Sequence, residues 1–186
     1  MKVKQFVMAY SAEHQRIKAI LPAGYRSLRP VLRLNLEIIT AADGGEKLRI
    51  EFNTPVAARN KRGWLNLRAW ETPATPIHYQ LEDRCAGEKT PGHEGAVKGL
   101  TTAFETPFLQ IAFTGVGIRG GCPAESDNDG CFYREGLTTS FVPAETIDGR
   151  KEYCDCEFRW TQPLMEAMTI PGEKILGAYQ VEFRRD

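Results

Sequence analysis

Residues 31–53 read VLRLNLEIITAADGGEKLRIEFN, and their period is two. Leu32, Leu34, Leu36 and Ile38 alternate with Arg33, Asn35 and Glu37, and Leu48, Ile50 and Phe52 alternate with Lys47, Arg49, Glu51 and Asn53. Successive side chains on a strand point to opposite faces, so such alternation marks two half-buried strands. Asp43-Gly44-Gly45 between them makes a hairpin the natural joint. A second turn at 58–63 leads into Trp64-Leu65-Asn66-Leu67-Arg68-Ala69-Trp70. A regular strand puts Trp64, Asn66, Arg68 and Trp70 on one face and Leu65, Leu67 and Ala69 on the other. Two readings of the tryptophan face stand side by side. It suits a ligand cavity, with flat apolar walls and a few polar anchors, or a sheet surface where arginine stacks between rings.

Outward from this core the pattern holds. Residues 4–9 read as a strand. Ser11 is placed to cap a helix whose Ile17, Ile20 and Leu21 share a face and which Pro22-Ala23-Gly24 ends. His14 sits one turn before Ile17, at the edge of the same crevice or as a surface residue. Thr72–Pro76 is a proline-bounded connection, and residues 85–99 read as loop or weak strand. Further strands are expected at 77–81, 109–113, 153–160 and 179–183, with a short helix at 163–168 capped by Thr161. The expected architecture is one domain, residues 1–186, mainly β. It is an antiparallel barrel-like or curled double sheet with one or two short helices.

The chain has 186 residues, with 24 basic and 24 acidic side chains. No net charge directs it toward nucleic acid or an acidic membrane surface. Arg59, Lys61 and Arg62 form a compact basic group at a turn, read as a solvated tip. No apolar run approaches the ~20 residues of a membrane helix. The N-terminal MKVKQFVMAYSA lacks the ~7–15-residue apolar stretch of a secretion signal. Five cysteines, an odd count, fit reduced thiols or metal ligands better than a secreted disulfide framework. A cytoplasmic location is expected.

Two further stretches invite chemical readings. Gly115-Val116-Gly117-Ile118-Arg119-Gly120 spells a dinucleotide-binding pattern, but turn residues and carboxylates follow where a helix is needed. The glycines therefore read as a bulge or sharp turn, with Arg119 available to clamp a carboxylate ligand. Glu125, Asp127, Asp129 and Gly130 imitate the start of a calcium loop. Its closing glutamate falls one residue early, at Glu135, so an Asx-rich turn is the default.

Cys122 and Cys131 lie nine residues apart and Cys154 and Cys156 two apart. On a strand the second pair shares a face with Phe158 and Trp160. Three outcomes stay open: a four-cysteine zinc site, small buried apolar thiols, or a cross-loop disulfide. A cysteine nucleophile lacks an evident base, because His78 and His93 are seven and eight residues from Cys85. No Gly-x-Ser-x-Gly elbow is present.

Residues 5–71 carry a family resemblance. They run as strand, short helix, Leu21-Pro22-Ala23-Gly24-Tyr25, and an extended run with Pro30. A hairpin follows, with Asn53-Thr54-Pro55-Val56 and Lys61-Arg62-Gly63-Trp64. This resembles the acetoacetate decarboxylase-like superfamily, in which a helix ending in a Leu-Pro-x-Gly turn precedes a curled β structure around a cavity. The resemblance implies a small-molecule cavity, with Glu51 where those proteins often place a cavity glutamate. Acetoacetate decarboxylase itself uses a Schiff-base lysine whose pKa a neighbouring lysine depresses. This sequence has no Lys-Lys pair. Lys89 and Lys98 fall in about the right region, but Glu88, Val97 and Gly99 offer no cationic partner.

The resemblance therefore implies a binder of a small carboxylated molecule. Its enzymatic form is a lyase or hydrolase without a Schiff-base lysine. In that form Glu51 is the acid/base in a largely apolar cavity, with its pKa shifted upward. Arg68 or Arg119 holds the carboxylate, Trp64 and Trp70 wall the pocket, and Asn66 is a polar anchor. The alternative is a non-catalytic binding or interaction module stiffened by zinc on Cys122, Cys131, Cys154 and Cys156. The partner expected is a small molecule, with no nucleic acid and no membrane; homo-oligomerisation stays open.

Overall fold

A computed structural model describes residues 1–85, 98–121, 129–136 and 138–185. In chain order the elements are β1 (Lys2–Ser11), α1 (His14–Ile20), β2 (Arg26–Ser27), β3 (Val31–Thr40), β4 (Glu46–Ala58), β5 (Lys61–Glu71), β6 (His78–Cys85), β7 (Lys98–Glu105), β8 (Leu109–Gly121), β9 (Gly130–Glu135), β10 (Thr138–Pro143), β11 (Arg150–Trp160) and β12 (Lys174–Arg184), with a 3-10 turn at Glu166–Thr169. The strands join one sheet in the order β10-β9-β5-β4-β3-β1-β12-β11-β8-β7-β6, and β2 pairs with β4. Pairing is antiparallel except between β5 and β9, which run parallel through Trp64–Cys131 and Leu65–Phe132. The mainly β expectation holds, but as one sheet. β10 and β6 are both edges, so the curl does not close into a barrel.

The alternation of the first hairpin decides what each face does. Leu32, Leu34, Leu36, Ile50 and Phe52 are fully buried on one face. There they join Phe6 and Met8 of β1 with Phe104, Ile111 and Phe113 of β7 and β8 in the main core. In the sheet order β1 and β7 are four positions apart, about 19 Å on a flat sheet at ~4.8 Å per strand. Yet the Phe6 and Phe104 rings meet at 5.1 Å, and Phe52 meets Trp160 of β11 at 5.2 Å. The sheet must curl to bring them together, and each buried aromatic contributes roughly 1.5–3 kcal/mol to holding it so.

The opposite face carries the odd-numbered residues of β3 and β4, paired as Arg33–Asn53, Asn35–Glu51 and Glu37–Arg49. Toward β12 it becomes apolar, with Val3, Val181 and Phe183 packed together.

Local expectations were corrected at two helices. Ser11 stays in β1, its hydroxyl 3.5 Å from the Lys174 carbonyl, and α1 begins at His14 with no side-chain cap. Ladder pairing with β12 and β3 claims the end of β1 before a helix can start there. Ile17 faces the core as its spacing required. The second helix shrinks to the 3-10 turn at Glu166–Thr169, and the Thr161 hydroxyl bonds the Pro107 carbonyl instead of capping it. Among the described residues no helix is long and apolar enough to cross a membrane.

The glycine stretch does not end its strand, because β8 runs to Gly121. Its pairing with β11 slips between Glu152 and Cys154, where Gly117 takes φ +75°. A Cβ on Gly115 would meet the Glu152 carboxylate at 2.7 Å. A bulge with close backbone approach is therefore what these glycines provide.

Candidate ligand site

One-residue slips decide which side chains meet. Between Phe52 and Asn53 the pairing of β4 with β5 shifts: Trp64 opposes Pro55 and Asn66 opposes Asn53, but Arg68 opposes Phe52 and Trp70 opposes Ile50. Leu67 is the extra residue, and everything beyond it changes face. Trp64 and Asn66 therefore lie on the polar face. Trp70 lies in the core, its ring 4.6 Å from Phe108, and Arg68 is exposed. The expected face of Trp64, Asn66, Arg68 and Trp70 is split in two. Its tryptophans do not wall one pocket.

What gathers instead comes from four strands. Glu51, only 5% exposed, pairs with Arg49 at 2.5 Å and accepts a hydrogen bond from the Tyr133 hydroxyl at 2.9 Å. Tyr133 arrives on β9, which the parallel pairing lays beside β5. Arg33 lies over the Trp64 ring, 3.6 Å from its centroid, a contact in which a cation meets the negative ring face. Asn53 is fully buried at the bulge, between Arg33 of β3 and Asn66 of β5. Cys131 completes the group. Burial pushes its thiol up, partly offset by the Arg33 guanidinium. Burial, with the Glu51 charge next, pushes the Tyr133 phenol well above its ordinary value, so it remains a donor to Glu51.

This group is under-satisfied in a particular way. Among the described residues, nine buried side-chain nitrogen or oxygen atoms have no hydrogen-bond partner. Six of them are here: Arg33 Nε, Asn35 Oδ1, Arg49 Nε, Asn53 Oδ1, Asn53 Nδ2 and Asn66 Oδ1. Native proteins pair nearly all such atoms, so a cluster of exceptions calls for water or a ligand. Two guanidinium groups against one carboxylate leave the cluster net positive, which suits an anion. The other three atoms are Tyr10 Oη near the end of β1, His14 Nε2 at the start of α1 and Trp160 Nε1 at the end of β11. Burial pushes Tyr10 up to about 12, with the Trp160 indole acting against it.

The remaining candidates lie elsewhere. Arg119 is exposed on β8, in register with Glu152 of β11. Cys154 and Cys156 do share a face with Phe158 and Trp160, against the main core, whereas Cys131 lies on the polar face beside Trp64. The sheet itself separates them. Among the described residues no three His, Cys, Asp or Glu side chains form a group that could hold a metal. The four-cysteine zinc site is therefore not supported, and Cys131, Cys154 and Cys156 are free thiols. Burial raises Cys154 to about 12 and Cys156 further, as small apolar packing residues require.

Cys122, Lys89, His93, Glu125 and Asp127 fall outside the described residues. Asp129 is committed to the β4–β5 hairpin, its carboxylate accepting the Arg62 amide at 2.8 Å. A surface hollow of about 500 Å³ is lined by residues of β6, β7, β8 and β11, Ala103 and Ala112 among them, and by none of the Glu51 group.

No protein-family model matches the chain, and no curated protein matches it. Solved structures do. Acetoacetate decarboxylase from Legionella pneumophila superposes with a TM-score of 0.71 at 11% identity, covering 98% of this chain and 81% of that one. The enduracididine biosynthesis enzyme MppR, complexed with the condensation product of pyruvate and imidazole 4-carboxaldehyde, gives 0.66 at 10% identity, over 98% and 84%. An acetoacetate decarboxylase-like enzyme from Sphingomonas wittichii gives 0.62 at 9%, over 98% and 87%. The chain has the acetoacetate decarboxylase-like fold.

Proposed function

We propose that the chain binds a small carboxylate-bearing molecule among Arg33, Arg49, Glu51, Asn53 and Tyr133. The observation that carries this reading is the cluster of six unpartnered buried polar atoms, two of them guanidinium nitrogens. The fold supports it: MppR, which shares the fold, has been captured with pyruvate. Arg33 and Arg49 take the carboxylate, replacing the expected Arg68 and Arg119, which are exposed on other parts of the sheet. Asn66 and Trp64 border the ligand; Trp70 belongs to the core.

In an enzymatic form, a lyase or hydrolase acting without a Schiff-base lysine, Glu51 is the group that takes or gives a proton. Arg49 and the Tyr133 phenol meet its carboxylate and Asn35 stands across from it, rather than the apolar walls expected. Glu51→Gln separates this from pure binding: turnover is lost, while carboxylate binding is kept or tightened, because Arg49 is released from its counter-charge.

The test is thermal unfolding with pyruvate, lactate and propionate at millimolar concentrations. A ligand at 100 times its dissociation constant stabilises by about 2.7 kcal/mol, which raises Tm by several degrees. A rise that Arg33→Ala abolishes supports the reading, and no rise with any of the three carboxylates overturns it.

A further inference from the structure

We infer that the ligand of this site presents a hydrogen-bond donor beside its carboxylate, as a carboxamide, hydroxy acid or amino acid does, and is not a simple keto acid. The inference rests on the binding reading above and narrows its ligand class. Its basis is Asn53, fully buried, with neither Oδ1 nor Nδ2 partnered by any protein group. Because both atoms are unpartnered, exchanging them by an amide flip changes nothing. The side chain asks for one donor and one acceptor placed side by side.

The neighbours extend the same demand. Asn35 Oδ1 and Asn66 Oδ1 are acceptors without donors, and Arg33 Nε and Arg49 Nε are donors without acceptors. The register sets Arg33 and Asn66 directly across from Asn53 on its two sides, and Asn35 across from Glu51. A carboxylate answers the guanidinium groups but offers nothing to an amide oxygen. Pyruvate has only acceptors, so it would leave Asn53 Oδ1 buried and unpaired, and bind more weakly for it. A carboxamide presents N–H and C=O on one edge and meets the asparagine with two hydrogen bonds.

Oxamate and pyruvate make the comparison direct. They match in charge and nearly in shape, differing by an amino group in place of a methyl. Calorimetric titration of each into the parent protein, the Asn53→Leu variant and the Arg33→Ala variant reads the donor separately from the charge. The expected result is oxamate binding about tenfold more tightly than pyruvate, the size of effect one well-placed hydrogen bond gives. In Asn53→Leu the two affinities become equal, and in Arg33→Ala both fall together. Asn53→Ala is measured alongside, so that distortion by the larger leucine is not mistaken for loss of the amide.

Equal binding of the two anions by the parent protein, with Arg33→Ala still abolishing it, overturns the donor inference and leaves carboxylate binding intact. Binding of neither anion overturns the carboxylate reading and the inference with it.

Discussion

Glu37 and Glu51 stand on neighbouring strands, face the same way and are each only 5% exposed, yet their surroundings differ in kind. Glu37 is fully provided for. Its two oxygens accept Arg185 Nη2 at 2.9 Å and Nη1 at 3.1 Å, Gln5 donates at 3.2 Å, and Arg185 is held in turn by Glu145 at 2.8 Å. A bidentate arginine with a second carboxylate behind it is how a buried charge is made tolerable. Around Glu51, Arg49 and Tyr133 serve the carboxylate, and the polar atoms beside it are left without partners. One network closes on itself and ties the C-terminal strand to the sheet. In the other, the polar atoms beside the carboxylate find no protein partner among the described residues. A buried polar group that is satisfied reads as structure, and a cluster of unsatisfied ones beside paired charges as a candidate site.

The largest effect expected on this contrast is at the closed network. Arg185→Ala strands Glu37 in a buried position, and roughly 3 kcal/mol of stability should be lost in urea denaturation. Next comes pH. Burial and Glu51 raise the Tyr133 phenol in the folded state, so the folded protein holds that proton more tightly than the unfolded chain. The stability this contributes is complete below the unfolded phenol value near pH 10 and is lost as pH rises beyond it, at up to about 1.4 kcal/mol per pH unit. Tyr133→Phe should make that alkaline limb shallower, with the raised Tyr10, Cys131, Cys154 and Cys156 supplying what remains. Arg185 is also raised, by hydrogen bonds to Glu145 and Glu37, but its titration lies above any usable pH, so the closed network should show no such limb. Unfolding curves from pH 8 to 11 separate the two.

A smaller loss, about 1–2 kcal/mol, is expected for Glu51→Gln, which leaves Arg49 without its counter-charge while keeping the hydrogen-bond acceptor. The smallest is Asn53→Leu. Removing a buried amide that no protein group satisfies should cost less than about 1 kcal/mol, or stabilise, since its desolvation penalty goes with it.

Much of the fold was legible in the alternation of residues 31–53. Those runs became β3 and β4 with the apolar face correctly assigned, and Arg59 and Asn60, with φ of 50° and 57°, form the tight turn the second hairpin needed. The resemblance carried by residues 5–71 was also sound at the level of fold. The site was only half legible. Asn35, Arg49, Glu51 and Asn53 could be placed on one face from their spacing, but the slip at Leu67 could not. A single extra residue leaves local composition unchanged while reversing every side chain after it. Tyr133 and Cys131 escaped for another reason. They reach Glu51 and Trp64 through a parallel pairing of β9 with β5 across more than sixty residues of chain, and no local pattern announces such a contact. The cysteines misled because their two-residue spacing showed that Cys154 and Cys156 share a face, and could not show that Cys131 lies behind the sheet.

The central question is whether the unpartnered polar group is kept for a ligand or for the fold. The most direct measurement is the urea midpoint of the parent protein and of Asn53→Leu, each with and without oxamate. Without ligand the variant should match or exceed the parent, and oxamate should raise the parent midpoint and not the variant's. A variant weakened by 2 kcal/mol or more, with neither protein responding to oxamate, would contradict it and make Asn53 a structural residue.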